Sequence, residues 1–207
     1  MAGGIFISYR RNDSDFVAGR LAEDLSRIFG PESIFRDIDR LEPGVNYIDA
    51  LDSALNSCAV LIAIIGPYWS TISDEKGHRR LDDPQDWVRI EISRAIARNI
   101  RLIPVLISGA KMPQTTELPD DLKPLISRHA VEIVDRFWKK EVEELRDALS
   151  KFGIPQIDEG HKADLFWESL FWEKKVEELR DALSKIVSFI KEIFKSFFRG
   201  SRDDKGQ

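Results

Sequence analysis

One cysteine and three histidines are the whole supply of thiol and imidazole in 207 residues, and they stand far apart at Cys58, His78, His129 and His161. A lone cysteine excludes an intramolecular disulfide, and no CxxC or HExxH spacing offers a zinc site. Long apolar runs are missing too. The longest, Cys58 to Ile65, falls far short of the roughly 20 residues that span a bilayer as a helix, so no transmembrane segment is expected. The opening Met1-Ala2-Gly3-Gly4 has no basic segment followed by an apolar core, and a cytoplasmic, metal-free protein is the expectation. Positive charge is not in excess. The 31 Lys and Arg against 36 Asp and Glu give −5 and a pI near 5.4, which argues against a phosphate-neutralising surface and against a nucleic-acid partner. Neither GxGxxG nor a Walker-type GxxxxGK occurs, so the two common nucleotide-binding loops are excluded.

What is present belongs to a soluble globular chain: 43% hydrophobic and 32% charged residues leave no room for wholesale disorder. The composition changes after Asp135. Before it stand 16 basic and 21 acidic residues, after it 15 of each, so the first part holds the whole net charge. The basic residues before the cut are three Lys and 13 Arg, and after it ten Lys and five Arg. Prolines end at Pro155, and 11 of the 20 aromatics lie in the last 72 residues. A compact domain over 1–152 is expected, then a linker with a short helix over 153–170, a long helix over 171–199 and a tail over 200–207.

In the first part, β-branched runs alternate with segments of helical period, the signature of a parallel sheet flanked by helices. Strands are expected at Ile5–Ser8, Ser33–Arg36, Ala59–Ile65, Leu102–Ile107 and Val131–Val134. Helices are expected at Ser14–Phe29, capped by Asp13 or Ser14, at Tyr47–Ser57, at Pro84–Arg98 behind an Asp83 cap, at Asp120–Ile126 and at Phe137–Lys151. Five such units predict a doubly wound α/β sheet of flavodoxin-like order, whose ligand crevice lies at the carboxyl ends of the first and third strands.

The stretch Phe137–Lys151 recurs 34 residues later as Phe171–Lys185, with only Lys139/Glu173 and Glu141/Lys175 different. Two copies are too few for a solenoid, so a local duplication is the simpler account. The second copy runs on through Trp172, Val176, Leu179, Leu183, Ile186, Ile190, Ile193 and Phe197 at alternating spacings of four and three, a heptad seam. Self-association is the reading favoured for it. Packing onto the domain is the plainer alternative, and Lys185–Arg199, with four bases, one acid and clustered phenylalanines, suits an anionic membrane surface.

Chemistry gathers at three places. The first strand ends in Ser8-Tyr9-Arg10-Arg11, a hydroxyl, a phenol and two guanidiniums at the predicted crevice; the guanidiniums suit a pyrophosphate or carboxylate, and solvated surface charges are the plainer alternative. A polar loop, Phe35-Arg36-Asp37-Ile38-Asp39-Arg40-Leu41-Glu42-Pro43-Gly44, follows the second strand. Further on, Asp86-Trp87-Val88-Arg89-Ile90-Glu91 sets an indole and a carboxylate at i and i+4 on one helix face, although a half-buried tryptophan beside a surface glutamate is a common outcome. A response-regulator receiver shares the strand order, but it needs acidic residues where Ser8-Tyr9-Arg10 stand and a phosphoacceptor Asp where Gly66-Pro67 stand. Cys58 opens an apolar run and reads as a small core residue.

In order and spacing these motifs, with Ile103-Pro104-Val105-Leu106-Ile107 and Leu118-Pro119-Asp120-Asp121-Leu122, resemble a TIR (Toll/interleukin-1 receptor) domain of bacterial type. They also resemble NAD-cleaving TIR domains, and the likeness covers roughly Gly4 to Lys151. It implies cleavage of NAD⁺, as substrate rather than cofactor, between nicotinamide and ribose to ADP-ribose or a cyclic isomer, in signalling or immunity. It also implies self-association through the TIR domain. By the family pattern Glu91 is the catalytic glutamate, Trp87 packs on the nicotinamide side, and Ser8, Tyr9, Arg10, Arg11, Asp37, Glu42 and Asp83 surround the pocket. The aromatic usual just past the Pro-Gly loop falls to Asn46 or Tyr47, and Tyr47 is taken as the site residue. The alternative from another class is a non-catalytic TIR adaptor acting through TIR–TIR and helix contacts.

Overall fold

The computed structural model describes residues 3–36 and 44–157, together with Lys175, Arg180, Leu183, Ser184 and Val187. The wholly apolar run Cys58-Ala-Val-Leu-Ile-Ala-Ile-Ile65 forms a strand in the middle of a parallel sheet, where both faces are covered. In chain order the strands are β1 (Gly4–Ser8), β2 (Ile34–Phe35), β3 (Cys58–Ile65), β4 (Arg101–Ile107) and β5 (Val131–Ile133). The helices are α1 (Arg11–Phe29), α2 (Tyr47–Ser57), α3 (Trp87–Ala97) and α4 (Trp138–Ser150). Strand order is β2-β1-β3-β4-β5, all parallel. This is the expected doubly wound α/β architecture, with its topological switch between β1 and β3.

The two-residue period of the strands divides the core in two. Ile5, Ile7, Val60, Ile62, Ile64, Val105 and Ile107 face α1 and α4, where Ala18, Leu21, Leu25, Phe29, Val142, Leu145 and Leu149 meet them. Phe6, Leu61, Ala63, Ile65 and Leu102 face the other way, onto Leu51 and Leu55 of α2 and Val88, Ile92 and Ala95 of α3. Ser8 and Arg10 continue the second set, so the end of β1 aims both toward α3. Cys58 packs against the second core, and burial pushes its thiol pKa up to about 12.

Two helix starts, one helix type and the approach to α4 differ from the sequence expectation. α1 starts at Arg11, not Ser14: Asp13 accepts the Tyr68 N–H at 3.1 Å and the Ser14 hydroxyl donates back to the Arg10 carbonyl, so neither caps the helix. α3 starts at Trp87, because the Asp86 carboxylate accepts the Arg89 N–H and caps there, while Asp83 closes a short turn by accepting the Gln85 N–H. The segment Asp120–Ser127 is a 3₁₀ helix, since Pro124 within it has no N–H to give to an α-helical ladder. A 3₁₀ turn at Asp135–Phe137 precedes α4. β2 is confined to two residues.

Chain contacts group into two units, Met1–Ile157 and Asp158–Gln207. Ile154 is buried in the first core and the Ile157 N–H donates to the Ile28 carbonyl, so the first unit draws on the chain beyond α4. Of the second unit, Lys175, Arg180, Leu183, Ser184 and Val187 are helical and exposed; the rest of the predicted 171–199 helix, the 153–170 segment past Ile157 and the tail lie outside the described residues. Among the described residues no helix is long and apolar enough to cross a membrane.

Candidate functional site

At the carboxyl end of β1, where the sheet reverses its winding, a cavity of ≈ 130 Å³ opens between the first turns of α1, α2 and α3. Tyr9, Arg10, Arg11, Tyr47, Arg80, Trp87 and Glu91 contribute to its walls. That volume is below the range of about 300–1,000 Å³ for pockets that take a drug-sized ligand. It is room for a single ring.

Glu91 sits one turn into α3, directly above Trp87 on the same face. Both of its carboxylate oxygens accept hydroxyl hydrogen bonds. Ser8, at the end of β1 and 1% exposed, donates its Oγ–H to Oε2 at 2.6 Å, and Tyr47, the first residue of α2, donates its phenol to Oε1 at 2.9 Å. Two residues far apart in the chain thereby fix one carboxylate in position and rotation. The Tyr47 ring also lies against Trp87, centroids 3.8 Å apart and planes at 47°, so the two aromatics make one tilted wall. Trp87 remains 42% exposed, an indole presented to solvent at the mouth of the cavity.

Beneath this wall lies a buried ion pair. Arg10, 2% exposed, donates both terminal nitrogens to the two oxygens of Asp86 at 3.0 Å each, and its Nε donates to the Trp69 carbonyl at 2.9 Å. Asp86, 5% exposed, also receives Nε of Arg80 at 3.1 Å and the Arg89 backbone N–H at 3.1 Å. The carboxylate therefore caps α3 and clamps its first turn to the end of β1. Three of the five guanidinium N–H donors of Arg10 are committed inside the chain.

The sequence expectations map onto this geometry unevenly. Tyr9, Arg10, Arg11, Tyr47, Trp87 and Glu91 share the cavity, and Ser8 reaches it through Glu91. Of the pair Asn46 and Tyr47, Tyr47 enters the cavity while Asn46 caps α2 by accepting the Ile48 N–H at 2.9 Å. Asp83 is exposed, holds its own turn and is not among the cavity residues. Asp37 and Glu42 fall outside the described residues. Sequence reading missed Asp86, Arg80 and the backbone of Trp69. For Asp86 a signal existed, since an aspartate just before Trp-Val-Arg is a helix N-cap; for Trp69 none did.

Comparison with known proteins agrees with the fold. The family model described as TIR domain matches residues 5–149. NAD(+) hydrolase sarm1 of Drosophila melanogaster is 29% identical over 122 residues, covering 58% of this chain; the chain spans 8% of that relative's length. Among solved structures, the TIR domains of the activated Roq1 resistosome directly recognizing the pathogen effector XopQ superpose with a TM-score of 0.50 at 13% identity, covering 72% of this chain and 99% of that one. At that identity the likeness concerns the fold alone. The TIR domain of the Toll-related receptor TRR-2 from Hydra magnipapillata gives a TM-score of 0.43 at 17% identity, covering 72% and 96% of the two chains.

Proposed function

The chain belongs to the TIR domain family, and from that premise we propose that it is an NAD⁺ nucleosidase that breaks the bond between nicotinamide and ribose. The observation that carries the reading is the carboxylate of Glu91, held at both oxygens by Ser8 and Tyr47 beside an aromatic wall and a ring-sized cavity. The name of the fly relative, an NAD(+) hydrolase, supports the choice of substrate.

The chemistry suits a single carboxylate. Nicotinamide departs as a neutral pyridine, so its leaving nitrogen needs no proton, in contrast to the leaving oxygen of an O-glycoside. The ribose left behind gathers positive charge at its anomeric carbon. A fixed anion nearby stabilises that charge, and does so without reorganising at the moment of reaction. A carboxylate offers about four acceptor sites; the hydroxyls of Ser8 and Tyr47 take one on each oxygen and orient the rest toward the substrate. Trp87 and Tyr47 supply a π-surface against which a cationic nicotinamide ring is favoured before the bond breaks. Arg10 is read as a positioning residue, since its guanidinium is spent on Asp86 and on the start of the helix that carries Trp87 and Glu91. Arg11 and Tyr9 are proposed to meet the remainder of the dinucleotide, and self-association through the TIR domain and the heptad seam to sustain activity.

Incubating the full chain with NAD⁺ and following nicotinamide by chromatography tests the reading, with Glu91→Gln alongside. Release by the natural chain, reduced by about 10²-fold or more in the variant, is expected. Equal release by both removes Glu91 from its role. No release at high protein concentration, with or without a crowding agent, moves the assignment to a TIR scaffold.

A further inference from the structure

The duplicated segment copies the face by which α4 is held in the domain. α4 presents Trp138, Val142, Leu145 and Leu149 to the sheet and α1, all of them buried. The Trp138 indole donates to Asp24 at 2.7 Å and Arg20 stacks on its ring at 4.1 Å. The second copy repeats each of these four residues in register, as Trp172, Val176, Leu179 and Leu183. Its two departures flank the stripe: Lys139 is exposed, whereas Glu141 is half-buried and accepts the Val134 N–H at the edge of the seat, a bond that Lys175 of the copy has no acceptor to make. Leu149 is completely buried, whereas its counterpart Leu183 is 61% exposed. The second copy thus carries a docking stripe made for a surface on this domain, with at least one of its apolar residues uncovered.

We propose that residues 171–185 are a second occupant of the α4 seat, able to dock there in place of α4 within the same chain. Two features make α4 the resting occupant. The connection from β5 is the four residues 134–137 for α4 and the 38 residues 134–171 for the copy, which lowers closure of the longer loop by about 30-fold. α4 ends at Ser150, and three residues on Gly153, with a φ of 77°, turns the chain back so that Ile154 is buried and the Ile157 N–H reaches the Ile28 carbonyl. The copy has Val187 at that position, a residue that resists positive φ, and it is helical there. A loop of 38 residues holds its end at millimolar effective concentration, so at micromolar protein the same chain fills a vacated seat before a second one does. When the copy docks, α4 is released and its own apolar stripe becomes available.

Disabling each copy in turn tests the exchange. Leu145→Asp spoils α4 alone, Leu179→Asp the copy alone, and the double variant both. Urea unfolding followed by circular dichroism, with mass from light scattering at low micromolar concentration, is expected to show the natural unfolding midpoint for Leu179→Asp. Leu145→Asp should keep a cooperative transition at a lowered midpoint and a monomeric mass, and the double variant should lose the transition. A Leu145→Asp chain as disordered as the double variant overturns the proposal; one ordered only as a dimer overturns docking within the same chain. In chains that stay folded, Leu179→Ala should lower the midpoint in a Leu145→Ala background and not in the natural one, and equal shifts in both backgrounds refute the exchange.

Discussion

Replacing Asp86 by asparagine separates the two tasks of that side chain. Asparagine is as good an N-cap as aspartate, so the bond from the Arg89 N–H survives. The charge does not. Arg10, with 1% of its side chain exposed, then faces an amide in place of a carboxylate and keeps the Trp69 carbonyl as its acceptor, while Arg80 brings a second positive charge to the same place. Breaking one side of a buried ion pair costs about 3–5 kcal/mol, a large part of the 5–15 kcal/mol that holds a domain together. With a urea slope of about 2 kcal/mol per molar, the unfolding midpoint should fall by roughly 1.5–2.5 M. Asp86→Ala should lose about 1 kcal/mol more, the worth of the cap. A double replacement by apolar side chains, Arg10→Met with Asp86→Leu, should recover most of the loss from the charge, since such pairs are often neutral against hydrophobic isosteres. Equilibrium urea curves followed by circular dichroism read all three. An Asp86→Asn midpoint within 0.3 M of the natural chain, which at the same slope is about 0.6 kcal/mol, would refute the claim that this pair is desolvated and holds α3 to β1.

Other expectations follow from single contacts. Tyr47→Phe removes the phenol from Glu91 while keeping the ring on Trp87; hydrogen bonds to charged groups are worth about 1.5–3 kcal/mol, so nicotinamide release should fall about 10- to 100-fold with the fold unchanged by circular dichroism. The Arg94 and Arg98 guanidiniums hold Asp52 below the ordinary carboxylate range, so its stabilising contribution is present above the unfolded pKa near 3.8 and is lost as pH falls through the folded value. Urea midpoints measured from pH 6 down to pH 3 should therefore fall more steeply for the natural chain than for Asp52→Asn, and parallel curves would refute the coupling. With the Cys58 thiol pushed up to about 12 by burial, a thiol-directed disulfide reagent at pH 8 should react slowly until urea unfolds the domain; immediate full reaction would contradict the packing.

The fold was legible because its signals are local and repeated. The eight apolar residues of β3 mark a strand covered on both faces, and the alternation of short apolar runs with helical segments fixes the doubly wound class. What misled the reading at helix starts was competition among nearby side chains of equal capping strength. Asp83 and Asp86 are both good N-caps; the choice is made by Arg10, 76 residues upstream, which draws Asp86 into the interior. Asp13 and Ser14 likewise cap well on paper, yet the N–H of Tyr68 claims the first and the Arg10 carbonyl the second. Local chemistry gives the menu of caps, and tertiary partners select from it.

The candidate site shows the same division more sharply. The Trp87–Glu91 pair is visible at helical spacing because both residues lie on one element. Ser8 and Tyr47 reach the same carboxylate from two others, and only the sheet order brings the end of β1 and the start of α2 to the first turns of α3. Arg10 illustrates how a residue type can point to the right place for the wrong reason. Two adjacent arginines at a strand end suggest an anion fork, and the first is a fork; the carboxylate it grips belongs to Asp86. The dependence runs from that buried pair outward: the pair sets where α3 begins, the start of α3 sets where Trp87 and Glu91 stand, and their position decides whether two hydroxyls can hold one carboxylate still. A change at Arg10 should therefore reach nicotinamide release through the geometry of Glu91. On that reasoning the loss in Arg10→Lys, which keeps the charge but not the two-pronged grip, should appear in kcat more than in KM. A loss confined to KM would instead make Arg10 a substrate contact.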